Sequence, residues 1–371
     1  MKKVVITANT SWYLYNFRKN TILALLNEGF KVIAISPKDE YSEKLRALGA
    51  EYLPIVIDQG GSNPIKDINT IFSFMRLYRK LRPDVVLNFT PKNNIYSTMA
   101  GLFFGAKAIN NIAGLGMVFI DENLTAKLAR FLYKLSQPKA HVIFFQNDED
   151  REIFKKYNLA PLDITDRIPG SGVDLSRFTT TPNNDDGVTR FLLIARMLFD
   201  KGIAHYVEAA RELKAKYGDS VEFRLLGFLD VNNPSAVSKQ QMQAWVDEGV
   251  INYLGISDSV EKEIAIVDCM VLPSFYREGV PKSLLEAAAM GKPIVTTDNV
   301  GCRETVDDGV NGFLCEPRST PSLVEKLECM ITLSHSERLA MGQKSRLKVE
   351  KEFDEKKVID MYLKAVNSAI K

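Results

Sequence analysis

Two carboxylates flank a loop-to-helix junction in the run Pro273–Leu314, and this junction is the most informative stretch of the chain. Glu278 lies in the loop, and Glu286 lies inside a helix predicted over Ser283–Met290. The first N–H groups of a helix have no intrahelical partner and favour anions. A carboxylate beside such a site is suited to accept hydrogen bonds from sugar hydroxyls. Taken alone, the pair also fits a loop carboxylate and the polar face of a helix. The candidate backbone donors are Gly279, Val280, Lys282 and Ser283, whereas Pro281 has no N–H to offer.

Two cations follow a predicted strand in the second half of the chain. Arg196 and Lys201 come after the strand Phe191–Ala195 and before Gly202, which opens the next helix. At the carboxyl end of a parallel strand, arginine can hold a diphosphate as a bidentate fork and lysine can hold it as a point charge. The same spacing also fits a solvated pair of surface cations.

Other residue types that could do chemistry are sparse. The four cysteines form no CxxC pair and the three histidines have no metal-ligand spacing, so we predict reduced thiols and no metal site. No GxGxxG motif is present, which argues against a nicotinamide or flavin cofactor. Gly114 and Gly116 come nearest to that motif, and we interpret them as a tight loop.

The elements that must position these residues follow one alternation in both halves. In the front half, strands are predicted at Lys3–Thr7 and Lys31–Ile35 around a helix at Asn20–Asn27. This βαβ pattern recurs in the back half and predicts two parallel, helix-covered sheets. Because ligands bind at the carboxyl ends of such strands, we expect two doubly wound domains facing across a cleft. The remaining predicted strands are Val85–Phe89, His141–Gln146, Val221–Leu226, Ile251–Leu254, Cys269–Pro273 and Pro293–Thr297.

Chain length and turn-forming residues predict the domain boundary. A chain of 371 residues is about twice the usual domain size. Turn-forming and polar residues between 168 and 187 make the best linker, so we predict domains over 1–170 and 171–355. The last helix, about 356–371, is expected to pack back on the front domain.

Charge is divided unevenly between the halves. Residues 1–170 carry 23 Lys+Arg and 16 Asp+Glu, giving +7, whereas residues 171–371 carry 25 and 30, giving −5. The front half is therefore expected to face something anionic, such as nucleic acid, phospholipid or a phosphorylated substrate, unless the imbalance has no function. Basic amphipathic patterns at 72–82 and 127–134 favour a membrane surface, although these apolar faces could instead pack on the front sheet.

Several ordered motifs resemble the family 4 retaining glycosyltransferases of the GT-B fold. They are ARMLFDKG, SGVD at the linker, EGVPKSLLEAAAMGKPIVTT with its Glu-x7-Glu pair, and NVGCRETVDDGVNGFL. The resemblance covers essentially the whole chain and is strongest over 170–314. TSWYLYNFR, PKDEYSEKLRALGAE, IAGLG and INYLG further resemble bacterial enzymes that extend undecaprenyl-diphosphate-linked sugars, including N-acetylgalactosaminyltransferases of N-glycan assembly.

The resemblance implies a role for each matching residue. Arg196 and Lys201 would hold the nucleotide diphosphate and stabilise the leaving group, and Glu278 would contact hydroxyls of the donor sugar. Glu286 would hold the ribose hydroxyls. The amides of Gly279 to Lys282 would surround the sugar and phosphate, and Ser283 is included in the same donor-binding set. The nucleoside pocket would be lined by Gly227, Leu254, Gly255 and Ile256.

Two departures from the family pattern lie in the front half. Many members have a Gly-Gly pair after the first strand, where this chain has Asn9, Thr10 and Ser11. These residues could donate to a phosphate or could form a turn or helix cap. A front-domain histidine is replaced by the run 110–116 around Gly114 and Gly116, which we include as a possible phosphate or acceptor loop.

The resemblance predicts transfer of a hexose or N-acetylhexosamine from a UDP-sugar, the co-substrate, to an undecaprenyl-diphosphate-linked saccharide for capsule, O-antigen or another surface glycan. The enzyme would need no metal or cofactor and would act in the cytoplasm, on the inner face of the membrane. A sugar-nucleotide epimerase and a non-catalytic sugar-nucleotide-binding subunit remain as alternatives. No nucleic-acid-reading motif is present, and the oligomeric state is open.

Overall fold

A computed structural model describes residues 1–58, 63–116, 124–181, 185–229 and 231–371. The chain divides into two compact units, one of Met1–Ser171 with Lys356–Lys371 and the other of Gly172–Glu355. The division falls one residue after the predicted boundary, and the last helix belongs to the first unit.

The first unit contains a parallel sheet of seven strands in the order β3-β2-β1-β4-β5-β6-β7. Its strands are rich in β-branched residues and are buried on both faces, as expected of a helix-covered parallel sheet. The order reverses between β1 and β4, so loops at the carboxyl ends of these strands flank a switch point. The strands are β1 Lys3–Thr7, β2 Lys31–Ser36, β3 Glu51–Pro54, β4 Val85–Asn88, β5 Lys107–Ile112, β6 Val142–Phe145 and β7 Thr165–Arg167.

Helices cover both faces of this sheet in the part of the first unit that the structure describes. The C-terminal helix α13 places Tyr362 and Val366 in one of the two hydrophobic clusters of this unit, beside Ile6 and Phe89. The helices are α1 Ser11–Asn27, α2 Ser42–Ala47, α3 Pro64–Leu81, α4 Pro91–Leu102, α5 Leu124–Ser136, α6 Asp148–Lys156 and α13 Glu355–Ile370.

Helix α1 begins nine residues before the start that we predicted at Asn20, so that prediction was wrong. The side chain of Thr10 accepts a hydrogen bond from the N–H of Tyr13 at 3.0 Å and caps the helix. The aromatic run after Thr10 therefore belongs to the helix. Its periodicity is hard to recognise because apolar residues occur all around the first turns.

The second unit contains a parallel sheet of six strands in the order β10-β9-β8-β11-β12-β13. One continuous hydrophobic core packs on it, with helix α10 contributing Leu284, Leu285 and three alanines. The strands are β8 Thr189–Ile194, β9 Val221–Leu226, β10 Asn252–Tyr253, β11 Cys269–Leu272, β12 Ile294–Thr297 and β13 Gly312–Cys315. The helices are α7 Ile203–Tyr217, α8 Lys239–Asp247, α9 Val260–Ala265, α10 Lys282–Ala289, α11 Thr320–Thr332 and α12 His335–Glu352.

The two ends of the second unit are joined by backbone hydrogen bonds. The N–H of Val173 donates to the carbonyl of Phe353 at 2.9 Å, and the N–H of Glu355 donates to the carbonyl of Val173 at 3.1 Å. Gly172 has φ +66°, and a Cβ there would collide with the backbone of Glu355. The SGVD motif thus joins the two ends of the second unit, and its glycine is required for this close contact.

Candidate active site

The loops after β8 and β11 are joined at the carboxyl edge of the second sheet. The carbonyl of Asp200 accepts hydrogen bonds from the N–H groups of Phe275 and Tyr276, at 3.0 and 3.1 Å. A Cβ at Gly202 (φ +78°) would collide with the carbonyl of Pro273. These contacts bring side chains that are about 75 residues apart in sequence into one cluster.

Lys201 and Glu278 form an ion pair at this junction. Both side chains are well buried, 13% and 12% exposed. The hydroxyl of Ser274, itself fully buried, donates to Oε1 of Glu278 at 2.9 Å. The ammonium of Lys201 also lies 5.2 Å from the ring centroid of Tyr276. Glu278 is therefore oriented by a serine and neutralised by the lysine that we predicted to bind phosphate.

Arg196 lies at the start of the same loop and is exposed to solvent. Its guanidinium forms no ion pair with any residue in the described part of the chain. It acts on the phenol of Tyr276 as a nearby positive charge. A ligand diphosphate would therefore meet one free guanidinium fork and one lysine that is already paired.

Glu286 lies in the fifth position of α10 and is partly buried. Across the described residues, its carboxylate has no hydrogen-bond or ion-pair partner. Burial raises the pKa of this carboxyl, while the positive charges of Lys282 and Arg177 act in the opposite direction. A partly buried carboxylate without a partner is suited to accept two hydroxyl hydrogen bonds from a ligand.

Sequence reasoning missed the ion pair beside Glu286. Arg177 donates to Oε2 of Glu261 at 2.8 Å, and both charges act on Glu286. Asp174 holds the turn that presents Arg177, accepting from the N–H groups of Ser176 and Arg177. No local spacing could have revealed this pair, because its members are 84 residues apart and are brought together only by the fold.

The predicted nucleoside-pocket glycines also come together. The N–H of Gly227 donates to the carbonyl of Gly255 at 2.7 Å, and the hydroxyl of Tyr253 donates to the carbonyl of Gly227 at 2.9 Å. Gly227 (φ +142°) must be glycine, because a Cβ would collide with the carbonyl of Ala195. The adjoining Leu254 packs against the core, and Ile256 is 63% exposed.

The segment before α10 is tightly packed. Gly279, Val280 and Pro281 are buried, and no side chain caps the helix, which leaves its first N–H groups to other partners. Ser283 follows in the first turn of α10. Gly301 (φ +79°) lies so close that a Cβ there would collide with the carbonyl of Gly279. The loop that carries Glu278 is thereby fixed from both sides.

The front loop after β1 is largely structural in its contacts. Thr10 caps α1, as one of our two alternatives predicted. The hydroxyl of Ser11 is fully buried and lies 2.9 and 3.0 Å from the hydroxyls of Ser36 and Ser42. The third residue, Asn9, is partly exposed and makes a contact of its own.

The histidine-free region of the front unit is a neutral hydrogen-bonded layer. Nδ2 of Asn88 donates to Oδ1 of Asn110 at 2.8 Å, and Nδ2 of Asn110 donates to Oε1 of Gln137 at 2.7 Å. Asn110 is therefore buried and occupied. Gly114 and Gly116 have φ +93° and +65°, the backbone of a tight loop.

No acid, thiol or imidazole cluster suited to a metal ion occurs within the described ranges. Nor do they contain a helix with both the length and the apolar character needed to span a membrane. Three of the four cysteines are buried thiols, and burial raises the pKa of Cys302 and Cys315 to about 12.

The sequence of this chain is similar to those of known glycosyl transferases. Residues 178–348 match the family model described as glycosyl transferases group 1, and residues 3–147 match that described as glycosyl transferase 4-like. A Campylobacter jejuni N,N'-diacetylbacillosaminyl-diphospho-undecaprenol alpha-1,3-N-acetylgalactosaminyltransferase is 30% identical over 96% of both chains. A UDP-Gal:alpha-D-GlcNAc-diphosphoundecaprenol alpha-1,3-galactosyltransferase of Escherichia coli is 24% identical over 71% of this chain and 70% of its own.

The fold is shared with solved structures. Anabaena Alr3699/HepE, solved in complex with UDP and glucose, superposes with a TM-score of 0.77 at 15% identity, covering 99% of this chain and 100% of its own. The prediction of two Rossmann-like parallel-sheet domains of the GT-B class is thereby confirmed.

Proposed function

The chain belongs to the family of group 1 glycosyl transferases, and from this premise we propose that it transfers a hexose or N-acetylhexosamine from a UDP-sugar to an undecaprenyl-diphosphate-linked saccharide. The full-length relative named above acts on a diphospho-undecaprenol-linked sugar, which supports the acceptor class. The Escherichia coli relative is named for UDP-galactose, which supports the donor class.

One observation carries the proposal. Two cations and a carboxylate meet after two neighbouring parallel strands, and a second carboxylate without a partner lies on the adjoining helix. Arg196 and Lys201 supply the charge that a diphosphate needs, and Glu286 supplies acceptors for ribose hydroxyls. The donor site is thus built within a single unit of the chain.

The chemistry that we propose proceeds with retention. The bond between the anomeric carbon and the β-phosphate oxygen breaks, and its electron pair stays on that oxygen, where Arg196 and Lys201 stabilise the charge. The acceptor hydroxyl oxygen forms the new bond on the same face of the sugar. Its proton goes to the departing phosphate oxygen, so no further base is required.

Lys201 must change partners during this cycle. In the structure it is paired with Glu278. When diphosphate binds, the ammonium can move to the phosphate, and Glu278, still held by Ser274, becomes free to accept from sugar hydroxyls. Because cations and helix-terminal N–H groups neutralise the diphosphate, we propose that no metal or cofactor is needed.

A binding and transfer assay tests this function. Isothermal titration with UDP, GDP and ADP should show selective binding of UDP that is weakened in Glu286→Gln. Purified protein should then move label from one UDP-sugar to a lipid-diphosphate-linked saccharide, with or without chelator. Donor binding without transfer or hydrolysis by the single chain would favour the non-catalytic subunit instead.

We also propose that the first unit docks on the inner face of an anionic membrane. Helix α5 presents an exposed apolar stripe at spacings of four, three and four residues, Leu124, Leu128, Phe131 and Leu135. Helix α3 presents a second stripe, Ile65, Ile68 and Phe72. Both helices pack against α4, so the two stripes flank the same helix.

The charges beside these stripes favour lipid over an apolar protein partner. On α3, Arg79 and Lys80 are exposed, and on α5, Lys127 and Lys134 are exposed. Exposed apolar side chains flanked by cations bind anionic bilayers through burial and charge together. The predicted alternative, packing on the front sheet, holds for the opposite faces of the two helices, where Phe74, Tyr78 and Tyr133 are buried in the core of the first unit.

Vesicle pelleting tests the surface. The double variant Phe72→Ser/Phe131→Ser and the triple variant Arg76→Ala/Arg79→Ala/Arg82→Ala should each reduce binding to phosphatidylglycerol vesicles. The matched control is Leu339→Ser/Leu347→Ser, which removes exposed apolar residues from α12 of the second unit. Equal pelleting of all four proteins would contradict the proposal.

A further inference from the structure

Tyr276 stands inside the cation–carboxylate cluster although nothing in its spacing singled it out. Its backbone is fixed on both sides, because its N–H donates to Asp200 and its carbonyl accepts from Nδ2 of Asn299 at 3.0 Å. The ring lies against the ammonium of Lys201, 5.2 Å from the centroid. The phenol is thus a rigid group, with little conformational entropy left to lose when a ligand binds.

The hydroxyl of Tyr276 is available to donate a hydrogen bond. Although the side chain is largely buried, the hydroxyl makes no hydrogen bond within the part of the chain that the structure describes. The nearby charges that act on it are those of Glu278, Arg196 and Asp200. Burial, followed by the charge of Glu278, raises the pKa of this phenol, so that it remains a hydrogen-bond donor at neutral pH.

The hydroxyls of the other tyrosines of the second unit donate hydrogen bonds to protein groups. Tyr206 donates to the carbonyl of Phe191, Tyr253 to that of Gly227, and Tyr217 to Glu328. Buried phenols ordinarily find a partner in this way. The hydroxyl of Tyr276 differs from these: it does not belong to the enclosed polar atoms of the described residues, so a ligand can reach it.

We propose that Tyr276 is a further donor-site residue whose hydroxyl donates a hydrogen bond to the β-phosphate of the sugar nucleotide. The inference rests on the proposed function, because it takes Arg196 and Lys201 as the diphosphate ligands. The phenol lies with both of these cations and with Glu278, the predicted sugar contact, and the β-phosphate is the group that joins sugar to nucleotide. The same hydrogen bond stabilises the charge that develops on the departing phosphate.

Titration of Tyr276→Phe with UDP and with UMP tests the contact. The variant keeps the ring and its contact with Lys201 but removes the hydroxyl. We expect UDP to bind about tenfold or more weakly, since the lost bond is to a charged group, whereas UMP, which has no β-phosphate, should bind within about twofold of the wild type.

Controls separate this contact from a structural role and from the donor site itself. Tyr217→Phe, on the surface of the same unit, should leave both affinities unchanged. Unchanged UDP affinity in Tyr276→Phe, or an equal loss for UDP and UMP, would overturn the inference. Absence of UDP binding by the wild-type protein would instead contradict the proposed function.

Discussion

Glu286 combines burial with the absence of a protein partner, and this makes its ligand affinity sensitive to pH. Its pKa is raised, so the fraction of ionised carboxylate falls on acidification earlier than for an ordinary glutamate. A protonated carboxyl accepts fewer hydrogen bonds from ribose hydroxyls. We therefore expect UDP affinity to fall as the pH is lowered, beginning above the range in which an ordinary glutamate titrates, and calorimetric titration measures this change directly.

The variant Glu286→Gln isolates that titration from the titration of the nucleotide. UDP phosphate also changes protonation in this range, but the change is common to both proteins, so the difference between their pH profiles reports Glu286. The control Glu325→Gln removes an exposed carboxylate of α11 and should keep the wild-type profile. Parallel profiles for wild type and Glu286→Gln would show that the carboxylate does not contact the ligand.

The two cations of the candidate site differ in their expected contribution to the stability of the protein. Arg196→Ala removes an exposed guanidinium without an ion pair, whereas Lys201→Ala leaves Glu278 partly buried without its counter-ion. Both variants should lose about 100-fold or more in turnover. Only Lys201→Ala should also lower the melting temperature, by about 2–6 °C.

Turnover measurements and thermal unfolding on the same preparations distinguish these effects. Arg211→Ala, which removes a surface pair with Glu248, is the control for a lost cation. Full turnover in both Arg196→Ala and Lys201→Ala would remove the proposed leaving-group site.

Local spacing singled out the charged residues of the candidate site but not their partners. Arg196 and Lys201 follow a strand, and their neighbours in sequence point to them. Glu278 and Glu286 lie on either side of the start of α10, and the same holds for them. The contacts of Ser274 and Tyr276 depend on how two loops meet, 74 or more residues apart. Such contacts are a property of the folded sheet and have no local pattern.

Among the elements, buried strands were predicted best. The observed bounds of β1 and β9 equal the predicted ones, because continuous apolar runs between polar residues leave little freedom. The start of α1 was missed because Thr10 acts as a cap only when the aromatic residues after it adopt helical backbone. The strands β3, β7 and β13 were not predicted, because they lie at the edges of their sheets and are only partly buried, so they lack the continuous buried run of the central strands.

The loop that carries Glu278 depends on one glycine of a neighbouring element. A Cβ at Gly301 would collide with the carbonyls of Gly279 and Glu278, so Gly301→Ala must displace that loop. We expect weaker UDP binding and a lower melting temperature. Gly309→Ala is the matched control, since Gly309 has φ +74° but open space around it, and it isolates the cost of positive φ alone. Equal effects of the two variants would contradict a role of the close contact.

At the scale of the whole molecule, charge and chemistry are divided between the units. The +7 of residues 1–170 coincides with the exposed apolar stripes of α3 and α5, whereas the candidate donor residues lie in the acidic second half. Under the proposed function, an anionic donor would therefore be bound by local cations within an acidic unit. Vesicle binding through the first unit should weaken as salt rises, because its electrostatic part is screened.

Buried thiols of the second unit make the stability of the molecule fall in alkali. Burial raises the pKa of Cys269, Cys302 and Cys315, so above about pH 9 the unfolded chain loses three protons that the folded chain keeps. Lys292 opposes them, since burial lowers its pKa to about 8 and the folded chain loses that proton first. Each buried thiol therefore makes the free energy of unfolding fall by up to ~1.4 kcal/mol per pH unit once the unfolded chain ionises it, and the buried phenol of Tyr206 acts in the same direction at higher pH.

Urea unfolding of the second unit, followed under reducing conditions across this range, measures the slope. Cys302→Ser replaces a titrating thiol by a hydroxyl, so its slope should be shallower by ~1.4 kcal/mol per pH unit. Cys329→Ser, which removes a partly exposed thiol, should keep the wild-type slope. A wild-type slope in Cys302→Ser would mean that this thiol titrates alike in the folded and unfolded chain, and its burial would then not contribute to alkaline unfolding.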